Sequence, residues 1–154
     1  MKIGIIGVGM LGEAVALNLL NLGFQVSVYN RTKEKVSEVE KNGAIVMNSP
    51  KLVADNSELI IIVVKDAVAV KEVSFGKEGI TESKNKKIIV ADMSTIEPTE
   101  SKEIADNFKQ KQIQKLEIPV MGGPNVAITG KLVMMASGPK NSFEQCKSIF
   151  EKIA

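Results

Sequence analysis

Residues 2–32 read KIGIIGVGMLGEAVALNLLNLGFQVSVYNRT, and this stretch decides the fold. A nearly all-apolar run, residues 2–7, leads into Gly7-Val8-Gly9-Met10-Leu11-Gly12. Leu11, Val15, Leu19 and Leu22 then recur at helical spacing, Gly23 supplies a left-handed stop, and residues 24–29 alternate as a second strand. Strand, G-x-G-x-x-G turn, helix and strand in this order form the βαβ context that gives the glycine pattern meaning. Gly7 permits the tight turn, Gly9 lets the backbone approach a pyrophosphate, and Gly12 lets the helix pack closely on the strand. With Val8 completing the turn, the amides around Met10 and Leu11 lie at the positive end of the helix dipole, which suits a phosphate. The structural alternative is a tight turn with no ligand.

The second strand ends in Asn30-Arg31-Thr32. NAD-specific folds usually place an acid here to accept from the ribose 2′-hydroxyl. Asn30 carries no charge to repel a 2′-phosphate, and Arg31 can bind one bidentately. NADP is therefore expected in preference to NAD; the alternative is a solvated arginine in an exposed turn.

Downstream, strands are expected at residues 44–47, 58–64, 88–92, 114–119 and 132–136. Helices are expected at 33–41 (capped by Thr32), 50–56, 67–73, 98–109 (capped by Thr95 or Glu97) and from Asn141 to Ala154 (capped by Asn141 or Ser142). Residues 76–87 read as polar connection, and Gly122-Gly123-Pro124 as a break. Alternating strands and helices predict one doubly wound, mostly parallel α/β Rossmann sheet with helices on both faces, over residues 1–154. Ligands of such sheets lie beyond the carboxyl ends of the strands. Val64 and Lys65, then Ser94 and Thr95, should therefore line the cofactor groove. Structural readings stand beside these: Lys65 and Asp66 as a surface pair, and Ser94 and Thr95 as helix caps, a role compatible with ligand contact.

Composition narrows the chemistry. The 154 residues are 44% apolar and 25% charged with a net charge of +2, which is ordinary for a globular domain and shows no nucleic-acid signature. The longest apolar run, residues 59–64, is too short to cross a bilayer, and Met1-Lys2 leads directly into a strand, so a cytoplasmic protein without a secretory signal or membrane partner is expected. Histidine is absent, which removes His-based triads and His-ligated zinc, and no metal is expected. Cys146, the single cysteine, reads as a buried inert thiol.

Four blocks carry a resemblance to a known family. They are Gly7 to Gly12 with Asn18-Leu19; Tyr29-Asn30-Arg31-Thr32; Asp92-Met93-Ser94-Thr95-Ile96-Glu97-Pro98; and Pro119-Val120-Met121-Gly122-Gly123-Pro124 followed by Gly130-Lys131-Leu132. In order and spacing they resemble the N-terminal NADP-binding domain of the β-hydroxyacid dehydrogenases, the group of 3-hydroxyisobutyrate dehydrogenase, tartronate semialdehyde reductase and 6-phosphogluconate dehydrogenase. The resemblance implies hydride transfer between nicotinamide and a small 3-hydroxyacid or its carbonyl product. It places the Asp92 block beside the nicotinamide, Val64 and Lys65 where the family has Leu-Pro, and Met121, Gly122 and Gly123 in the segment that holds the substrate. Met121 stands where the family has serine, and a thioether cannot donate a hydrogen bond to a carboxylate. An imine reductase-like subtype with a less anionic substrate therefore stays open, as does a stand-alone dinucleotide-binding module without catalysis. The family's catalytic lysine follows the last helix of this domain, which the resemblance places beyond Ala154. No catalytic residue is therefore expected among these 154; alone the chain is expected to bind cofactor without turnover, its closing helical domain absent.

Overall fold

The computed structural model describes all of residues 1–154. Six strands form one sheet: β1 (Ile3–Ile6), β2 (Val26–Tyr29), β3 (Ile45–Val46), β4 (Leu59–Ile62), β5 (Ile89–Asp92) and β6 (Gln114–Glu117). All five pairings are parallel, in the order β3-β2-β1-β4-β5-β6. The order reverses between β1 and β4, and that is where an open α/β sheet leaves its ligand crevice.

The helices are α1 (Met10–Asn21), α2 (Ser37–Lys41), α3 (Pro50–Asp55), α4 (Ala67–Phe75), α5 (Pro98–Gln110), α6 (Pro124–Ala127) and α7 (Lys140–Ile153). Side chains of a strand alternate in direction, so central strands must be apolar on both faces. Ile3, Ile5, Leu59 and Ile61 join α1, α2 and α7 in one core; Ile6, Ile60 and Ile62 join α3, α4 and α5 in the other. Gly23 (φ +86°) ends α1, where the Phe24 amide reaches the Leu19 carbonyl at 3.1 Å. Buried Asn18 donates to the Lys152 carbonyl at 2.8 Å, fastening the end of α7 to α1.

Several local expectations are corrected. The last strand lies outside the main sheet: β8 (Val133–Met134) pairs antiparallel with β7 (Val120–Met121) in a separate two-stranded ribbon. The break at Gly122-Gly123-Pro124 contains the short helix α6, for which Pro124 supplies a first position that needs no amide donor. Residues 33–41 divide into a 3₁₀ turn, Lys33–Val36, and α2, with no side-chain cap from Thr32. The connection 76–87 holds a second 3₁₀ turn, Ile80–Glu82, whose Ile80 is fully buried. Glu97 takes the N-cap position of α5 as expected but gives no side-chain hydrogen bond, and Pro139, rather than Asn141 or Ser142, precedes α7. The last helix also ends one residue earlier than expected. Ala154 is its exposed C-terminal flank rather than part of it, tied on by its amide bond to the Phe150 carbonyl at 2.9 Å. Ser49 and Asp66, by contrast, cap α3 and α4, accepting from the Leu52 and Ala69 amides.

Candidate functional site

Strand register sets the site. Tyr29, Ile6, Ile62, Asp92 and Glu117 pair in one row across the carboxyl ends of β2, β1, β4, β5 and β6. The residues just beyond that row form the rim, and the glycine turn is at its middle. Gly7 has φ +101°, and a Cβ there would meet the Val63 carbonyl; a Cβ on Gly12 would land on the Gly7 carbonyl oxygen. Gly9 has nothing within 4 Å of the same position. Two glycines are thus required by close packing, and the third faces open space where a ligand can approach. The first α1 ladder bond is from the Glu13 amide to the Gly9 carbonyl, 2.8 Å, leaving the preceding helix amides outside the ladder. This is the donor set a phosphate takes.

Asn30 fastens this turn. Its Oδ1 accepts from the Val8 amide at 2.9 Å while its Nδ2 donates to the Thr32 carbonyl at 2.9 Å. The residue chosen from sequence for its lack of charge is also a brace between the glycine turn and the segment carrying Arg31.

A groove of about 290 Å³ runs over the rim, and Gly7, Gly9, Asn30, Arg31, Thr32, Val64 and Lys65 all line it. Other candidates are placed around it. Val8 and Gly12 are buried beneath, Leu11 packs against the core, and the Met10 side chain projects outward at the start of α1. Ser94 and Thr95 border a second, smaller recess of about 80 Å³, with Asp92, Ser101 and Glu117. Neither caps a helix: Ser94 is buried, and its Oγ accepts from the Val64 amide at 3.1 Å, joining the loops after β4 and β5. Met121, Gly122 and Gly123 line neither recess. Met121 is 58% exposed on β7, Gly122 has φ +123°, and Gly123 precedes α6. Ala154, past which the family resemblance puts the catalytic lysine, also lines neither recess.

Three residues escaped the sequence reading. Lys35 and Lys77 line the groove with Arg31 and Lys65, facing a single acid, Glu72. Such a balance favours a polyanion. Lys65 also stands 4.0 Å from Asp66, the surface pair anticipated above. The third is Lys115 on β6, whose side chain is 1% exposed. Its Nζ lies 3.7 Å from Asp92 Oδ2 and 3.4 Å from Glu117 Oε1. The Asp92 distance is that of an ion pair, and Asp92 Oδ2 has no hydrogen bond. Burial pushes the Asp92 carboxyl above the usual range, against the opposing pull of Lys115 and of the Ser94 amide, which donates to Oδ1 at 2.9 Å. Spacing alone gave one usable signal: Lys35 follows Thr32 by three residues, one turn along a helix. Lys115 is identified by the register that sets β6 beside Asp92.

Cys146 is buried, and burial pushes its thiol up to about 11. No group of three or more His, Cys, Asp or Glu side chains converges to hold a metal ion. No helix is long and apolar enough to cross a membrane.

Residues 2–154 match the family described as the NAD binding domain of 6-phosphogluconate dehydrogenase. The chain is 39% identical over 148 residues to the uncharacterized oxidoreductase YkwC of Bacillus subtilis, covering 96% of this chain and 51% of that protein. It is 34% identical over 151 residues to glyoxylate/succinic semialdehyde reductase 1 of Arabidopsis thaliana, covering 98% and 52%. Among solved structures, Psf3 in complex with NADP+ and 2-OPP superposes with a TM-score of 0.94 at 25% identity, over 99% of this chain and 54% of that one. The chain spans about half the length of the curated relatives it matches.

Proposed function

From a chain that belongs to the family of NAD binding domains of 6-phosphogluconate dehydrogenase, we propose the NADP-binding domain of an oxidoreductase that moves a hydride between nicotinamide and a small 3-hydroxyacid or its carbonyl product. One observation carries the reading: Gly7 and Gly9, beside the start of α1 where amides stay free of the ladder, line the same groove as Arg31, Thr32 and Lys35. The pyrophosphate takes the amides around Gly9, Met10 and Leu11. The 2′-phosphate takes Arg31, with Lys35 one turn further on. The nicotinamide lies toward Val64, Lys65, Ser94 and Thr95, and the bound cofactor supplies the hydride.

A relative named as a glyoxylate/succinic semialdehyde reductase supports a small carbonyl acid as substrate, and NADP+ in complex with Psf3 supports the phosphorylated cofactor. Residues 1–154 serve as the dinucleotide-binding domain, with the acid–base lysine in a segment beyond Ala154 that follows the last helix of such domains. Gly122 and Gly123 face the substrate once that second part is in place. Met121, exposed where the family resemblance expects serine, favours a second reading, an imine reductase-like enzyme with a less anionic substrate.

Fluorescence titration tests the cofactor assignment. NADPH should bind about tenfold or more tightly than NADH, the worth of a charge-assisted contact to the 2′-phosphate, and Arg31→Ala should close most of the gap. NADH binding as well as or better than NADPH would refute the role given to Arg31.

A further inference from the structure

We infer that Lys115 is a positioning residue for the cofactor groove, acting from β6 through Asp92 and Ser94 on the loop that carries Val64 and Lys65. The inference rests on the NADP-binding reading above. Lys115 Nζ lies 3.7 Å from Asp92 Oδ2; Asp92 Oδ1 accepts from the Ser94 amide at 2.9 Å; Ser94 Oγ accepts from the Val64 amide at 3.1 Å. Val64 lines the groove, so three contacts connect a lysine two strands away to the wall that meets the cofactor.

Stability does not account for this lysine. Removing an ammonium and a carboxylate from water is expensive, and apolar side chains of similar volume usually stabilise as well or better. The surroundings offer that option. Lys115 pairs in register with Val90, and Val90 belongs to the apolar core under α3, α4 and α5. A buried ionic pair supplies direction where an apolar contact does not. The ammonium gives the Asp92 carboxylate a fixed orientation, and the carboxylate fixes the Ser94 amide and thereby the Ser94 hydroxyl. Without Lys115, Asp92 keeps one backbone hydrogen bond and the half-exposed Glu117 as a neighbour of like charge. The loops after β4 and β5 then lose their common anchor.

The test uses amide hydrogen exchange by NMR together with NADPH titration, on the full 154-residue chain and its Lys115→Met, Lys115→Arg and Asp92→Asn/Lys115→Met variants. The double variant leaves no buried charge unpaired, since Glu117, the other partner of Lys115, reaches solvent, so it separates positioning from simple unfolding. In Lys115→Met and in the double variant, exchange at Ser94 and Val64 should rise about tenfold or more, as the Ser94 amide loses an acceptor that is both charged and fixed in place. Exchange at Val63, bonded to the Ile6 carbonyl at 2.8 Å, should stay protected. NADPH affinity should fall by a similar factor, and Lys115→Arg should restore both. Unchanged Ser94 and Val64 exchange in a folded Lys115→Met or double variant overturns the inference, whatever the NADPH result. Failure of the wild-type chain to bind NADPH overturns the functional reading instead, and the exchange data still decide the role of Lys115.

Discussion

Replacing Asn30 by Asp should turn the cofactor preference from NADPH toward NADH. In the structure Asn30 Oδ1 accepts from the Val8 amide and Nδ2 donates to the Thr32 carbonyl, both at 2.9 Å. An aspartate keeps the first bond and strengthens it, since the acceptor becomes charged. It loses the second and sets a carboxylate against the Thr32 carbonyl. One neutral hydrogen bond is worth about 1 kcal/mol, so the variant should stay folded and melt only about 2–4 °C lower. The new charge acts on the ligand. At about 5 Å from a phosphate, like charges repel by about 1–3 kcal/mol between the bulk-water and near-surface limits. Salt screening at this half-exposed rim favours the lower part of that range, about a tenfold loss of NADPH affinity. NADH has no 2′-phosphate, and its ribose hydroxyl gains an acceptor, so its affinity should hold or rise. Paired titrations of both dinucleotides into wild type and Asn30→Asp read the ratio directly. An unchanged ratio in a folded variant would refute the placement of the adenosine ribose beside Asn30. Asn30→Ala is the control: it releases the brace on Val8 and should weaken both dinucleotides alike.

Other expectations follow from the packing and the buried charges. Gly12→Ala puts a methyl group on the Gly7 carbonyl and should destabilise by about 1–3 kcal/mol in urea unfolding, with loss of dinucleotide binding; a variant as stable as wild type would contradict the close packing of α1 on the turn. Asp92 has its pKa raised in the fold above its ordinary value of 3.8, so the native state holds that proton more tightly than the unfolded chain. Its contribution to stability is therefore fully present below 3.8 and lost as pH rises through the higher native value. Unfolding measured across that window should show Asp92→Asn gaining relative to wild type as pH rises; a parallel pair of curves would contradict it. Cys146, buried with a thiol pushed up to about 11, should resist a thiol reagent at about pH 8 in the folded chain, where little thiolate forms, and react as denaturant opens it. Rapid labelling without denaturant would contradict that burial.

The sheet was legible because its central strands are apolar at every position, and only a sheet covered on both faces can bury such strands. The glycine turn was legible for a related reason: close backbone approaches leave a residue type that composition cannot disguise. What escaped depends on neighbours distant in sequence. Residues 132–136 carry a strand-like pattern, yet their partner is Val120–Met121 rather than the main sheet, and nothing in the local pattern specifies that choice. Ser94 looked like a helix cap, but the Val64 amide thirty positions away claims its hydroxyl. Lys115 reads as one more surface lysine until β6 is set beside β5 in register. Sequence therefore announced the glycine turn, while the ionic bridge beneath its neighbour required the fold.

The central claim, that the turn after β1 seats the pyrophosphate of NADP with Arg31 on its 2′-phosphate, is tested most directly by amide chemical-shift mapping with NADPH and NADH. Both dinucleotides should shift the amides of Gly9, Met10 and Leu11, and NADPH should in addition shift those of Arg31 and Thr32. Glycine-turn amides that stay in place under saturating NADPH would contradict the account.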